Sequence, residues 1–160
     1  MNRTLNIRRG ESRDIPGIMK LLVQVNMVHH ALRPDLFNGP ATKYTPAELA
    51  AILADENTPV FVCTDENGAV LGHAFCVFKQ FLHDNIMTDI KTLYIDDLCV
   101  EEGCRGQHVG SALYGHVLSF ARAQGCYNIT LNVWSGNDSA QRFYEHCGLK
   151  PQKIGMELIL

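Results

Sequence analysis

Three stretches of this chain hold residue types whose spacing could do chemistry. The first is Glu101-Glu102-Gly103-Cys104-Arg105-Gly106-Gln107-His108-Val109-Gly110-Ser111, set between an extended apolar run and a helical one. The first N–H groups of a helix have no internal partner and carry the positive end of its dipole. Glycines let an anion approach them, so such a turn has phosphate-binding geometry. A tight strand-to-helix connection would use the same residues. The turn is neither a Walker loop, lacking Gly-Lys-Ser/Thr, nor a Gly-x-Gly-x-x-Gly dinucleotide turn. The second stretch runs from Asn137 to Pro151, where Ala140, Phe143, Tyr144 and Cys147 stand at i, i+3, i+4 and i+7. That spacing puts a tyrosine hydroxyl on a helix face of small and apolar residues, where the hydroxyl needs a partner. The third is Asp96-Asp97 in an extended segment. Strict strand alternation sends the two carboxylates to opposite faces, with Asp96 beside Tyr94, Leu98 and Val100, so that only one of them serves a given reacting group. Cys104 and His108 come nearest to metal-ligand spacing, but one such pair makes no zinc site, and no metal is expected.

The elements that must position these residues follow from periodicity. Leu5 to Arg9 alternates as a short strand. Ser12 or Asp14 caps a helix with Pro16 in its first turn and Ile15, Ile18, Met19, Leu22 and Val25 along one face. Met27 to Asn38 is less regular, turned by Arg33-Pro34-Asp35. Thr45-Pro46-Ala47-Glu48 has capping-box form and opens a helix to about Ala54. Val60 to Cys63 and Ala69 to Lys79 form a hairpin about Asn67-Gly68, a type I′ signal. Asp89 to Val100 predicts a long strand, Gln107 to Gln124 a helix stopped by Gly125, and Tyr127 to Val133 a further strand. Asp138 to Cys147 predicts a helix stopped by Gly148, and Met156 to Leu160 a closing strand.

Composition bounds what these elements can be used for. The chain has 160 residues, 46% hydrophobic and 19% charged, which suits one domain over residues 1–160 with one well-buried core. Its net charge of −3 leaves no basic surface to capture nucleic acid. No apolar run approaches the roughly 20 residues that span a bilayer. The N-terminal residues form no signal-length apolar stretch, so a soluble cytoplasmic protein is expected. Six cysteines without any Cys-x-x-Cys spacing fit free buried thiols better than disulfides.

Two motifs together resemble the GNAT-type N-acetyltransferase superfamily. Leu98-Cys99-Val100 followed by Arg105-Gly106-Gln107-His108-Val109-Gly110-Ser111-Ala112 looks like its Arg/Gln-x-x-Gly-x-Gly/Ala coenzyme motif after the central strand. Asn137-x-x-Ala140-x-x-Phe143-Tyr144, ending in Gly148-Leu149-Lys150-Pro151, looks like its second motif. The likeness is firmest from about Leu93 to Pro151. It implies a three-layer α/β fold, a mixed sheet flanked by helices with a splayed central strand pair. His108 departs from the pattern by standing where the motif has its middle glycine, which either shifts the helix start or sets an imidazole beside a phosphate.

The resemblance also implies roles. Acetyl-CoA would be the co-substrate, its pantetheine arm bonded to the backbone of Leu98, Cys99 and Val100. The pyrophosphate would lie on Arg105, Gly106 and the N–H groups of Gln107, His108, Val109, Gly110 and Ser111, with Asn137, Ala140, Phe143 and Tyr144 lining the arm. Asn137 would equally serve as a helix cap. Transfer from a thioester to an amine needs a neutral amine and a proton for the departing thiolate. Tyr144 matches the family's usual general acid, and Asp96 or Asp97 the carboxylate near the acceptor, unless a water chain takes that part. His29, His30 and Arg33, with Asp35, fall where the family builds acceptor specificity, and Tyr44, Phe81 and His83 are weaker candidates. His73, His116 and His146 have the look of hairpin and helix-surface residues. The expected function is therefore an N-acetyltransferase acting on a small-molecule or peptide amine. The alternative of another class is a non-catalytic acyl-CoA-binding sensor or interaction module. A phosphate-binding hydrolase lacks a nucleophile elbow. A homodimer formed by pairing or swapping the final strand is a further expectation. Six acidic residues against Lys91 give −5 between Asp84 and Glu102 and leave +2 elsewhere, which suits a cationic amine.

Overall fold

The computed structural model describes residues 3–160, so the first two residues of the N-terminal reading above lie outside the described residues. Five strands, β1 (Asn6–Arg9), β2 (Val60–Thr64), β3 (Val70–Gln80), β4 (Lys91–Val100) and β5 (Asn128–Leu131), form one sheet in chain order. The first four are antiparallel to their neighbours. β5 joins β4 in parallel, because the chain crosses over through a helix between them. The helices are α1 (Ile15–Leu32), α2 (Pro46–Ala54), α3 (Val109–Ala123) and α4 (Asp138–His146). This is the three-layer α/β arrangement expected from the motifs.

Each face of the sheet has its own apolar cluster. Leu93 and Ile95 of β4 pack with Val109, Leu113 and Val117 of α3 on one side. Val60, Val62 and Phe75 pack with Ile18 and Leu22 of α1 and Leu49 of α2 on the other. α3 lies close to the sheet because Gly72 has no side chain: a Cβ there would stand 2.9 Å from both the Cys99 carbonyl oxygen and Leu113 Cδ1. All six cysteines are free, and Cys63, Cys76, Cys99 and Cys104 are buried. Burial pushes the Cys63 thiol up to about 11 and those of Cys76 and Cys99 up to about 12, which keeps them unreactive.

Four expectations change. The hairpin turn is not type I′, because only Gly68 has positive φ. Asp65 accepts from the N–H groups of Asn67 and Ala69, holding a longer loop closed by a left-handed glycine. α1 continues through His29 and His30 to Leu32, with Arg33 as its C-cap, so both histidines belong to its last turn and not to a loop. β4 carries a bulge: Phe75 pairs with Asp97 and Cys76 with Ile95, leaving Asp96 without a partner. Residues 156–160 form no strand. From residue 151 onward the chain has neither helix nor sheet pairing and is exposed throughout. Among the described residues no helix is long and apolar enough to cross a membrane.

Candidate active site

The site is built where β4 and β5 part. They pair only from Thr92–Asn128 to Ile95–Leu131, and beyond that point β4 runs on alone to Val100. The Glu101 N–H donates to the Leu71 carbonyl on the β3 side. In an antiparallel ladder, alternate residues face opposite edges, so the peptide groups of Leu98 and Val100 face the open edge. Part of that edge is taken by Gln24 of α1. Its Nε2 donates to the Val100 carbonyl at 2.8 Å and its Oε1 accepts from the Glu102 N–H at 3.1 Å. The sequence carries no signal for Gln24, because the contact joins residues more than seventy positions apart.

The open edge leads into the start of α3. The first bond of this helix runs from the Ala112 N–H to the His108 carbonyl, so the N–H groups of Val109, Gly110 and Ser111 find no acceptor within the helix. Gly106 has φ +81° and a clear space above it, and Arg105, Gly106, Gln107 and His108 are all exposed. His108 has φ +64°, the left-handed conformation that glycine adopts without strain. At Gly110 a Cβ would meet the Phe143 ring at 3.4 Å and Val100 at 3.5 Å, so a small residue here sets α4 against the start of α3.

A cleft of about 730 Å³ opens between this loop, the last turns of α1 and the start of α4. It brings Arg105 and Asn137 together, with Gln24, Met27 and Val28 opposite. Asn137 Oδ1 accepts from the Ala140 N–H at 3.3 Å, so it does cap α4. Phe143 packs edge-on to Tyr144, with ring centroids 5.1 Å apart. Burial, followed by the charge of Asp97, holds the Tyr144 phenol well above the ordinary tyrosine range.

The bulge changes what the two aspartates do. They do not point to opposite faces, as strict alternation requires, because the extra residue at Asp96 resets the pleat. Both contact groups on the α1 and α2 side. Asp96 Oδ2 accepts from Lys43 Nζ at 2.7 Å and from the Tyr44 hydroxyl at 3.2 Å, and Tyr44 stacks on Phe75. Asp97 Oδ2 lies 2.6 Å from Nε2 of His73, whose ring packs edge-on to the same Phe75. Leu98 and Val100 instead join the α3-side cluster, so Asp96 does not share their face. Burial works against the Lys43 ammonium, but the hydrogen bond and charge of Asp96 outweigh it and raise its pKa.

His73 is not a surface residue: it is wholly buried, and among the described residues its Nδ1 has no hydrogen-bond partner. His73 could have been flagged by its place in the run Leu71–Cys76, every residue of which is buried.

The residues expected to face an acceptor are engaged by their own chain. His29 stacks on Phe37 at 5.1 Å, and His30 Nδ1 lies 2.6 Å from the Phe37 carbonyl. Phe37 meets Trp134 edge-on at 5.6 Å. Arg33 holds Asp35 at 2.7 Å and Glu157 at 2.5 Å. His116 packs on Phe61, while Phe81 and His146 are exposed. Among the described residues no group of three or more His, Cys, Asp or Glu side chains is placed to hold a metal.

Comparison with known proteins bears on this geometry. The model of the acetyltransferase (GNAT) family matches residues 25–149. A protein of Bos taurus, thialysine N-epsilon-acetyltransferase, is 27% identical over 136 residues, which are 85% of this chain and 72% of that one. A tetramutant of the BH1408 protein from Bacillus halodurans superposes with a TM-score of 0.92 at 31% identity, over 97% of this chain and 99% of that one. Glucosamine-6-phosphate N-acetyltransferase from Arabidopsis thaliana shares the fold, with a TM-score of 0.71 at 22% identity over 98% of each chain. With its two motifs lying on the splayed strand, the α3 start and α4, and the family model spanning most of its length, the chain belongs to the acetyltransferase (GNAT) family.

Proposed function

We propose that this protein is an N-acetyltransferase that moves an acetyl group from acetyl-CoA to a primary amine by direct attack, with Tyr144 as general acid. One juxtaposition carries the reading: the open edge of β4 at Leu98 and Val100 runs into the free N–H groups of α3, and α4, which carries Tyr144, packs against that helix start through Phe143 on Gly110. A coenzyme fits these residues by chemistry. An amide-bearing arm pairs with the peptide groups of Leu98 and the N–H of Val100 on the open edge, while Cys99 between them bonds toward β3 and the Val100 carbonyl is held by Gln24. A pyrophosphate suits Arg105, Gly106 and the N–H groups of His108, Val109, Gly110 and Ser111, whereas the Gln107 N–H already donates to the Cys104 carbonyl. Asn137, Ala140 and Phe143 line the same side. When bound, acetyl-CoA supplies a thioester carbonyl to be attacked.

The residues of this chain then have three tasks. A carboxylate must hold the acceptor and help strip its proton, because an ammonium has no lone pair. As the amine nitrogen bonds to the acetyl carbon and the carbon–sulfur bond breaks, the sulfur needs a proton. Tyr144 keeps its proton to unusually high pH, since burial and the Asp97 charge disfavour the phenolate, and it delivers that proton to the thiolate. Asp96 and Tyr44 form a carboxylate and aromatic cradle that already holds an ammonium of this chain, Lys43, with Nζ 5.5 Å from the Tyr44 ring centre. A short cationic amine is the acceptor class that fits such a cradle, and the bovine relative is named for one. Asp97, oriented by His73, is the second carboxylate beside it. His29, His30 and Arg33 contribute by fixing the turn after α1 that walls this side.

The test is thiol release from acetyl-CoA across polyamines, lysine analogues, aminoglycosides, amino acids and short peptides. Tyr144→Phe is expected to lower kcat by about 10²–10⁴-fold with little change in KM for acetyl-CoA. Unchanged turnover would remove Tyr144 from the chemistry. Coenzyme binding without transfer to any amine would leave an acyl-CoA-binding module in place of an enzyme.

A further inference from the structure

We propose that Gln24 is a positioning residue for the coenzyme: its side-chain amide stands in for a neighbouring strand at the end of β4, fixing where the open edge stops and how that edge is set against the loop leading to α3. The inference rests on the coenzyme half of the proposed function and does not depend on the acceptor or on Tyr144.

The geometry is that of a sheet ladder made by a side chain. Gln24 Nε2 donates to the Val100 carbonyl at 2.8 Å, and Gln24 Oε1 accepts from the Glu102 N–H at 3.1 Å. In a parallel pair of strands, one residue brackets its neighbour in this way, donating to the carbonyl before it and accepting from the N–H after it. Gln24 brackets Glu101, whose own N–H donates to the Leu71 carbonyl on the β3 side. A carbonyl only accepts and a backbone N–H only donates, so a single orientation of the carboxamide satisfies both. Leucine of similar size makes neither bond, and a glutamate carboxylate brings no donor to the Val100 carbonyl.

Packing of α1 puts the amide in place. Leu21, three positions earlier on the same helix face, is buried, and its carbonyl accepts from the Cys99 thiol of β4 at 3.7 Å. The Gln24 amide lies 3.6 Å from that same sulfur. Helix packing thus holds the backbone of this turn of α1 against β4, and the strand end and the loop hold the side chain.

Two consequences follow for a ligand on this edge. Pairing with β5 ends at Ile95–Leu131 and the Val100 carbonyl is taken by Gln24, so the edge is a slot with a fixed beginning and a fixed end. The Leu98 peptide groups and the Val100 N–H lie between those limits, which sets the register of an amide-bearing arm. Past the end, the bond to Glu102 holds the first residue of the turn Glu102–Cys104, which delivers the chain to Arg105. Gln24, Glu102 and Arg105 line the same cleft. One carboxamide therefore sets the spacing between the groups that pair with the arm and those that meet the pyrophosphate. A ligand spanning both feels that spacing, whereas a ligand held by the loop alone does not.

Coenzyme A and adenosine 3′,5′-bisphosphate, which has the nucleotide end without the arm, are titrated calorimetrically into the wild type, Gln24→Leu and Gln24→Glu. Coenzyme A is expected to bind both variants about tenfold or more weakly than the wild type, and the bisphosphate to bind all three proteins within about twofold. Amide exchange followed by NMR on the coenzyme-free wild type supplies a readout that needs no variant. The Glu102 N–H is expected to be protected about tenfold or more, although it lies outside the sheet. Equal affinity of coenzyme A for the wild type and the variants, equal weakening of both ligands, or a freely exchanging Glu102 N–H would each overturn the assignment of Gln24 and leave the coenzyme reading standing. Coenzyme A that fails to bind the wild type would overturn that reading, and this inference with it.

Discussion

Asp14 is nearly closed off from water, yet three donors keep it ionised: Arg8 Nη1 and Nη2 at 2.7 and 2.9 Å and the Glu11 N–H at 2.8 Å. Burial alone would push its carboxyl up. The Arg8 hydrogen bond, the Glu11 N–H and the charge of Arg8 outweigh that effect and hold it below the usual 3.8. A carboxyl whose pKa is lower in the folded state than in the unfolded chain adds stability above the unfolded value. That stability is lost as pH falls from about 4 through the folded value. Asp14→Asn should cost about 2 kcal/mol at pH 7, since it removes hydrogen bonds to a charged group and leaves Arg8 without its partner. The cost should shrink toward pH 3, which urea denaturation at the two pH values would show. At the same scale, the pairing of Asp97 with His73 could not be anticipated from either residue alone. It depends on β3 placing His73 opposite Cys99 and on the bulge turning Asp97 toward the same side.

At the scale of elements, the start of α3 carries a conformational cost. His108 sits at φ +64° as the residue before the helix, and a side chain there crowds its own backbone. His108→Gly should stabilise the fold by about 1 kcal/mol, the order of the left-handed penalty less the added freedom of an unfolded glycine. It should also open the approach to the free N–H groups of Val109 to Ser111. Chemical denaturation reads the first effect, and calorimetric titration with coenzyme A reads the second as tighter binding. A loss of affinity would show instead that the imidazole itself contacts the phosphate. Elements with strong local signals fell where periodicity put them. The Thr45–Glu48 capping box is formed in both directions, and Gly148, with φ +98°, ends α4. α1 outlasted its expected end because its last turn is held from outside, by Phe37 stacking on His29 and bonding His30.

For the molecule as a whole, the unequal charge distribution has a kinetic consequence. The acidic residues from Asp84 to Glu102 outnumber Lys91 by five, while the rest of the chain is net positive by two. Two of these carboxylates, Asp96 and Asp97, stand at the proposed acceptor side, and Arg105 lines the cleft proposed to take the coenzyme. If the acceptor is cationic, this field would draw it to that end, and its KM should rise several-fold between about 20 and 300 mM salt as screening shortens the reach of the field. A neutral amine should show little change. Steady-state kinetics with one acceptor of each kind separates these outcomes. If the two respond alike, the charge pattern serves solubility and not substrate capture.

What the residues determined by themselves is local. Alternation, caps and glycine stops set the order of strands and helices. The paired motifs at Arg105 to Ser111 and Asn137 to Tyr144 identified the family, since helix starts and helix faces are written within a few consecutive positions. Tertiary structure decided everything that depends on contacts between distant segments. The bulge at Asp96 sent two adjacent carboxylates to one side because β3 and β4 meet in a register that no single strand encodes. Gln24 reached Val100 and Glu102, and His73 reached Asp97, through packing of α1 and β3 on β4. The last residues alternate as a strand should, but alternation specifies only a face to be buried. Whether an edge lies within reach to bury it depends on where the rest of the chain has put its sheet, and here residues 151–160 join no strand and Glu157 is held by Arg33.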